Sequence, residues 1–303
     1  MVKNETNNNP LVSIIIATYR RDNELLRALN SVANLMYQNF EVILVDDNDE
    51  KTWNNKVEQI VKDFSFVNDN ICIKYFANHP NQGSAKTRNV GIDMAAGEYI
   101  CFLDDDDEYL PNRIDKQLYS MIESNADYSI TDLAIYNEKG KLIEFRKRDY
   151  IKETTSEKLF QNHLMYHITG TDTLMFKKDY IIKIGKFDPI DVGDEYYLME
   201  KAILAGGRFH YLPENHVKAY IHTGDSGLSS GKSKIQGENV LYAHKQQFFH
   251  KLDSKTVKYI RVRHYIVLAY AFYRNRQFFK MIKNCILGNL ISPRVFIGIL
   301  RER

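Results

Sequence analysis

Apolar, β-branched runs that stop abruptly in polar clusters constrain this chain more than any other feature. Residues 11–18 read LVSIIIAT and end in Thr18, Tyr19 and Arg20. Residues 40–45 read FEVILV and run into Asp46, Asp47, Asn48 and Asp49, and residues 98–103 read EYICFL and run into four consecutive aspartates. A strand with one wet face alternates apolar and polar side chains, whereas a strand covered on both faces does not. These runs therefore predict central strands of a sheet with helices on both sides.

The segments between them are helical in pattern. Asp22 is placed to cap a helix whose Leu25, Leu26, Leu29 and Val32 share one side. A polar helix and a third strand at 71–76 follow, and Gly83 opens a further helix that closes near Gly97. Strands alternating with helices give βαβ units, so the fold class is α/β with a mixed, mostly parallel sheet. Ligands of such sheets bind beyond the carboxyl ends of the strands. Thr18, Tyr19 and Arg20, Asp46 and Asp47, and the aspartates at 104–107 all fall at that edge. Beyond residue 108 the spacing predicts a helix at 113–124, a strand at 127–136, a short strand at 170–176 and a helix at 194–205 after Gly193.

Charge is unevenly spread. The formal net charge of +2 on 303 residues argues against a nucleic-acid binder as a whole. Residues 240–303 nevertheless carry thirteen Lys and Arg against two acids, Asp253 and Glu302, interleaved with aromatic and aliphatic side chains. This helical, basic region suits an anionic membrane surface, and it equally suits a helical subdomain whose cations face water. The three cysteines, Cys72, Cys101 and Cys285, lack CxxC spacing and are expected as buried free thiols. The leader MVKNETNNNP has no apolar signal core, and no uncharged run reaches the roughly 18 residues of a spanning helix. The expectation is a protein of the reducing cytoplasm, able to touch the inner face of a membrane but not to cross it.

Asp104, Asp105, Asp106 and Asp107 repel one another at close range, and a hard divalent cation relieves that repulsion. Oxygen-rich clusters suit Mg²⁺ or Mn²⁺. A solvated acidic turn is the plainer reading of any acidic run, but emergence from an apolar strand beside a second acidic strand end favours a site. The DxDxDG loop of an EF-hand is absent.

The motifs VSIIIATYRR at 12–21, VILVDDND at 42–49, NQGSAKTRNVGIDMAAGEYICFLDDDDEYLP at 81–111 and GDEYYLMEKAI at 193–203 resemble, in order and spacing, family 2 glycosyltransferases. That resemblance implies a GT-A fold over residues 11–225, with a nucleotide-binding half at 11–111 and an acceptor half at 112–225. A flexible leader (1–10) would precede it and the helical basic region (226–303) would follow. It implies an inverting, metal-dependent transfer of a sugar from a nucleoside diphosphate, with UDP favoured, to a hydroxyl of a glycan or lipid-linked acceptor in cell-surface polysaccharide assembly. Carried over by position, Thr18, Tyr19 and Arg20 line the nucleoside pocket, and Asp47 or Asp46 accepts a hydrogen bond from the base. Asp105 and Asp106 match the aspartates that hold ribose and metal, with Asp104 completing a DxD. Arg88 either donates to the diphosphate or forms a salt bridge across the acidic edge.

An inverting transfer also needs a base at the acceptor hydroxyl. Asp194 and Glu195 stand where the family keeps it, in the order Asp-Glu rather than the usual Glu-Asp. Asp194 is favoured and Glu195 is the alternative; N-terminal helix capping is compatible with either. His222, in YIHTGDSGLS, resembles a family histidine near the diphosphate and the metal, and Asp172, in GTDT, is placed near the acceptor cleft. A dinucleotide-dependent oxidoreductase is excluded because no GxGxxG follows a strand. The remaining alternative is a non-catalytic nucleotide-sugar or glycan-binding protein on the same fold. Such a protein would be expected to lose the aspartates or the base that this chain keeps.

Overall fold

A computed structural model of the chain describes residues 9–190, 193–221 and 231–301, which form two compact units. In chain order the elements are β1 (Val12–Thr18), α1 (Asn23–Ala33), β2 (Phe40–Asp46), α2 (Lys51–Val67), β3 (Cys72–Ala77), α3 (Ser84–Met94), β4 (Tyr99–Asp104), β5 (Glu108–Tyr109) and α4 (Arg113–Glu123). There follow β6 (Tyr128–Asn137), β7 (Leu142–Arg146), α5 (Ser156–Tyr166), β8 (Leu174–Lys177), α6 (Lys178–Lys183), α7 (Asp194–Leu204) and β9 (Phe209–Ile221). The chain continues through α8 (Gly231–Gln246), α9 (Ser254–Arg274), α10 (Phe278–Ile291) and α11 (Pro293–Arg301). The first unit contains the described residues up to Thr154 and Thr169–Ile221; the second combines Thr155–Ile168 with the described residues after 230. Helix α5 thus groups with the C-terminal helices, although it lies within the 11–225 stretch in sequence.

The strands of the first unit form one sheet in the order β3-β2-β1-β4-β8-β6-β9-β5, with β7 on β6. β3, β2, β1 and β4 pair in parallel, β8 runs antiparallel between β4 and β6, and β6 pairs in parallel with β9. The uninterrupted apolar runs are covered on both faces: Ile14, Ile15 and Ile16 are all buried. Burying each such side chain contributes about 1.5–3 kcal/mol. Val12, Ile14 and Ile16 on one face join Leu25, Leu29 and Val32 of α1 in the core. On the other face Gly91 lets α3 lie directly on β1, since a Cβ there would stand 2.4 Å from a methyl of Ile15.

The register carries the site. Ala17 of β1 pairs with Asp104 of β4, and Thr18 pairs with Asp46 of β2, so all three strands end level. Of the predicted strand at 170–176, residues 174–176 belong to β8 and Thr171–Thr173 form a 3₁₀ turn before it. Cys101 is buried as expected, but Cys72 is exposed. It opens β3, which pairs only with β2 at the sheet edge, where a strand is not covered on both faces.

In the second unit Val262, Ile266 and Ile299 form a small core between α9 and α11. Asp253 caps α9 by accepting from the backbone N–H groups of Lys255 and Thr256.

Candidate active site

At the β1 end, the Thr18 hydroxyl donates to Asp105 Oδ2 at 2.8 Å and the Tyr19 N–H donates to the same oxygen at 3.1 Å. The next residue, Arg20, adopts a left-handed φ of 53° and donates its N–H to Asn48 Oδ1 at 2.9 Å. Its guanidinium pairs with Glu50 in solvent. Two further arginines secure the acidic loop: Arg21 Nη2 lies 2.9 Å from Asp106 Oδ2, and Arg27 Nη2 donates to the Asp106 carbonyl at 2.6 Å. Sequence reasoning missed both arginines as site residues, although Arg21 stands inside the TYRR motif.

The β2 end is wired inward. Asp46 is fully buried and accepts from Asn48 N–H at 2.9 Å, Asn48 Nδ2 at 2.6 Å, Asn54 Nδ2 at 2.9 Å and the Tyr75 hydroxyl at 2.8 Å. Asp47 accepts from Asn78 Nδ2, Gln82 N–H and Gly83 N–H, each at 2.9 Å. Gly83 has a φ of 82°, and this left-handed turn lets the chain enter α3 while its N–H meets Asp47.

The β4 end is different in kind. Arg88, from α3, donates to Asp104 Oδ1 at 2.6 Å and to Asp194 Oδ2 at 2.8 Å, joining two carboxylates 90 residues apart (194 − 104). Burial alone would lower the pKa of this guanidinium, but Asp104 and Asp194 overcome burial and raise it, so it stays charged. Asp172 Oδ1 accepts the Asp104 N–H at 2.6 Å, and buried Arg113 Nη2 donates to the Asp172 carbonyl at 2.9 Å. Asp107 Oδ1 accepts the Tyr220 N–H at 2.8 Å. Carboxylate oxygens of Asp104, Asp107 and Asp172 all lie within 4.8 Å of one another.

This crowding shows in the acidities. Burial, then the neighbouring Asp106, pushes Asp105 up to about 7. Burial, then Asp104, pushes Asp172 up to about 7, and Asp107 is raised well above the carboxylate range by burial and by Asp172. Glu195 is pushed up to about 8, first by loss of solvent and next by Asp194, with which it shares a hydrogen bond. Hard oxygen donors crowded together in this way are a donor set that suits a divalent ion.

The structure therefore brings Thr18, Tyr19, Arg88, Asp104, Asp105, Asp106, Asp194 and Glu195 into one network with Asp107 and Asp172. Asp46 and Asp47 sit at the same sheet edge with their oxygens committed to the protein. His222 lies outside the described residues. Arg113 and Tyr220 were not singled out in the sequence, and Asp107 was named there only as a member of the acidic run.

The model of glycosyl transferase family 2 matches residues 13–182. The chain belongs to that family.

Relatives and solved structures agree. The family 2 chain is 29% identical over 249 residues to WcaA of Escherichia coli K12, named as a colanic acid biosynthesis glycosyl transferase, covering 80% of this chain and 84% of WcaA. It is 31% identical over 187 residues to the GalNAc(5)-diNAcBac-PP-undecaprenol beta-1,3-glucosyltransferase of Campylobacter jejuni, covering 61% of this chain and 57% of that one. Some relatives are much longer: the chain spans 18% of an uncharacterized glycosyltransferase of Rickettsia bellii. In fold it resembles residues 1–349 of S. aureus TarS in complex with UDP-GlcNAc, with a TM-score of 0.59 at 17% identity over 92% of this chain and 91% of that one. It also resembles the mannosyltransferase PcManGT of Pyrobaculum calidifontis in complex with GDP-Man and Mn²⁺, with a TM-score of 0.56 at 17% identity over 96% and 80% of the two chains. The mixed, mostly parallel sheet flanked by helices is that of GT-A glycosyltransferases.

Proposed function

We propose that this family 2 glycosyltransferase moves a sugar from a UDP-linked donor, with inversion at the anomeric carbon, to a hydroxyl of a lipid-linked or polymeric glycan. The observation that carries the reading is the Arg88 bridge, which ties the acidic end of β4 to the start of α7. Donor-binding and base-bearing elements are thereby locked into one arrangement. The UDP-GlcNAc in TarS and the lipid-linked substrate in the name of the Campylobacter relative support the donor and acceptor classes. Cell-surface polysaccharide assembly at the cytoplasmic face of the membrane is the setting we propose.

Asp104 and Asp106 are the carboxylates we assign to a divalent cation, Mg²⁺ or Mn²⁺. Their side chains are 34% and 20% exposed, so a bulky diphosphate can meet them. Asp107 and Asp172 are 5% and 4% exposed, and we assign them to a proton-sharing pair that holds the Asp104 backbone behind the site. When bound, the ion supplies Lewis-acid neutralisation of the departing diphosphate. Thr18 and Tyr19 position Asp105 toward the nucleoside side, and Arg88 adds fixed positive charge beside the acidic loop.

Between the two candidate bases the surroundings favour Glu195. Asp194 is held by Arg88 at 2.8 Å, whereas Glu195 is poised near 8, close to a working pH. Glu195 takes the proton of the acceptor hydroxyl, the freed oxygen forms the new glycosidic bond, and the bond to the diphosphate breaks with its electron pair leaving on phosphate oxygen. Asp194 acts through Arg88 as a positioning residue.

The test is incubation of the protein with a panel of UDP-sugars, Mn²⁺ and lipid-linked glycan acceptors, following UDP release and the anomeric configuration of the product. The reading expects UDP release with one sugar, loss of it in EDTA, and an inverted anomer. A retained anomer, or no UDP released from any donor, contradicts it.

A further inference from the structure

Helix α10 wears its apolar stripe on the outside. Phe279, Ile282, Ile286 and Leu290 are spaced three, four and four residues apart and so share one face. Their exposures are 92%, 49%, 54% and 74%. The buried residues of α10, Asn284 and Gly288, stand two positions on from Ile282 and Ile286 and face the opposite way. Gly288 allows close packing on that side: a Cβ there would stand 3.1 Å from the Phe296 ring and 3.4 Å from Tyr265 Cβ. A helix of a water-soluble subdomain turns its apolar face to the core, and this one does the reverse.

Charge decides what covers the stripe. Between residues 254 and 301 there are ten Lys and Arg and no acid. Lys280 and Lys283 of α10 itself, with Arg274, Arg276, Arg294 and Arg301 around it, are exposed. A second copy would oppose like charges, and an apolar protein partner would leave these cations without anions. Among the described residues no helix is long and apolar enough to cross a bilayer, and α10 spans 14 residues where a span needs about 20. An apolar stripe with lysines along its edge is the pattern of a helix lying in the interface.

We propose that α10 docks the second unit onto an anionic lipid surface, with Phe279, Ile282, Ile286 and Leu290 entering the acyl boundary and Lys280 and Lys283 meeting lipid phosphates. Aromatic and aliphatic burial supplies the hold, and the basic surroundings select anionic headgroups. The surface is read without reference to donor, acceptor or metal, so it stands or falls apart from the catalytic reading.

The test is co-sedimentation of the full chain with phosphatidylglycerol and with phosphatidylcholine vesicles at low and high salt, alongside sedimentation velocity without lipid. The account expects binding to phosphatidylglycerol vesicles that weakens with salt, and little binding to phosphatidylcholine. Phe279→Ser with Leu290→Ser should weaken binding at least tenfold, and Lys280→Glu with Lys283→Glu should abolish the preference for anionic lipid. All four side chains are exposed, so circular dichroism should match the parent. Absence of binding to anionic vesicles, undiminished binding by the serine variant, or a dimer that this variant dissolves would each overturn the proposal.

Discussion

Two strand ends of this protein look alike in sequence and differ in what surrounds them. β2 ends in Asp-Asp-Asn-Asp and β4 in four aspartates, level with each other across β1. At β2 the protein satisfies the charge itself: amides, a phenol and backbone N–H groups converge on Asp46 and Asp47. At β4 carboxylates are packed against carboxylates, and burial with mutual repulsion lifts Asp105, Asp107 and Asp172. The first cluster builds a loop, whereas the second is the one we propose a cation completes. An acidic run is thus informative through its partners: carboxylates whose oxygens the fold fully engages with donors shape structure, and carboxylates left crowded against one another beside Arg21 and Arg88 are the candidate ligands.

The comparison predicts unequal consequences for equivalent substitutions. Asp106→Asn should cut kcat/KM by on the order of 10³ or more, because donor binding and turnover both suffer. UDP titration and initial rates would show both losses. Glu195→Gln should lower kcat by about 10²–10³ while the donor Kd stays unchanged. The acid limb expected near pH 8 for the parent should vanish with it. Equal losses in kcat and donor affinity would remove Glu195 from the role of base.

Asp46→Asn should behave in the opposite sense. It trades a buried charged acceptor for an amide among donors, so stability should fall by about 2–3 kcal/mol in denaturant unfolding, while kcat of the folded fraction changes little. A large kcat loss with unchanged stability would return Asp46 to the nucleotide pocket.

The smallest effect is in pH and metal. A carboxyl raised to about 7, as Asp105 and Asp172 are, holds in the folded chain a proton that the unfolded chain releases. Metal-free stability should therefore fall as pH climbs from about 4 to about 7. Mn²⁺ held by Asp104 and Asp106 would favour loss of the proton from the adjoining Asp105, so its stabilisation should be larger at pH 8 than at pH 5. At a concentration about 100 times Kd the melting temperature should rise by roughly 5–10 °C at pH 8, and in Asp106→Asn by much less.

Much of this was legible before the structure. The runs around Ile14, Ile43 and Phe102 announced buried parallel strands, and their ends announced the site, because both signals are local. Partners joined by topology were not legible. Asp172 reaches Asp104 only because antiparallel β8 slots between β4 and β6. Arg113 meets Asp172 through a carbonyl, which no side-chain motif encodes. The inward commitment of Asp46 depends on Asn54 and Tyr75, 8 and 29 residues away. The grouping of α5 with the C-terminal helices is likewise a long-range fact, invisible to a reading that moves along the chain.

The central claim is that the β4 cluster is a donor site completed by a cation. Its most direct test is calorimetric titration of UDP, with dTDP and GDP beside it, first in Mn²⁺ and then in EDTA. The account predicts UDP binding in Mn²⁺ that weakens at least tenfold in EDTA. Equal affinity in both conditions, or no binding of any of the three nucleotides, would contradict it.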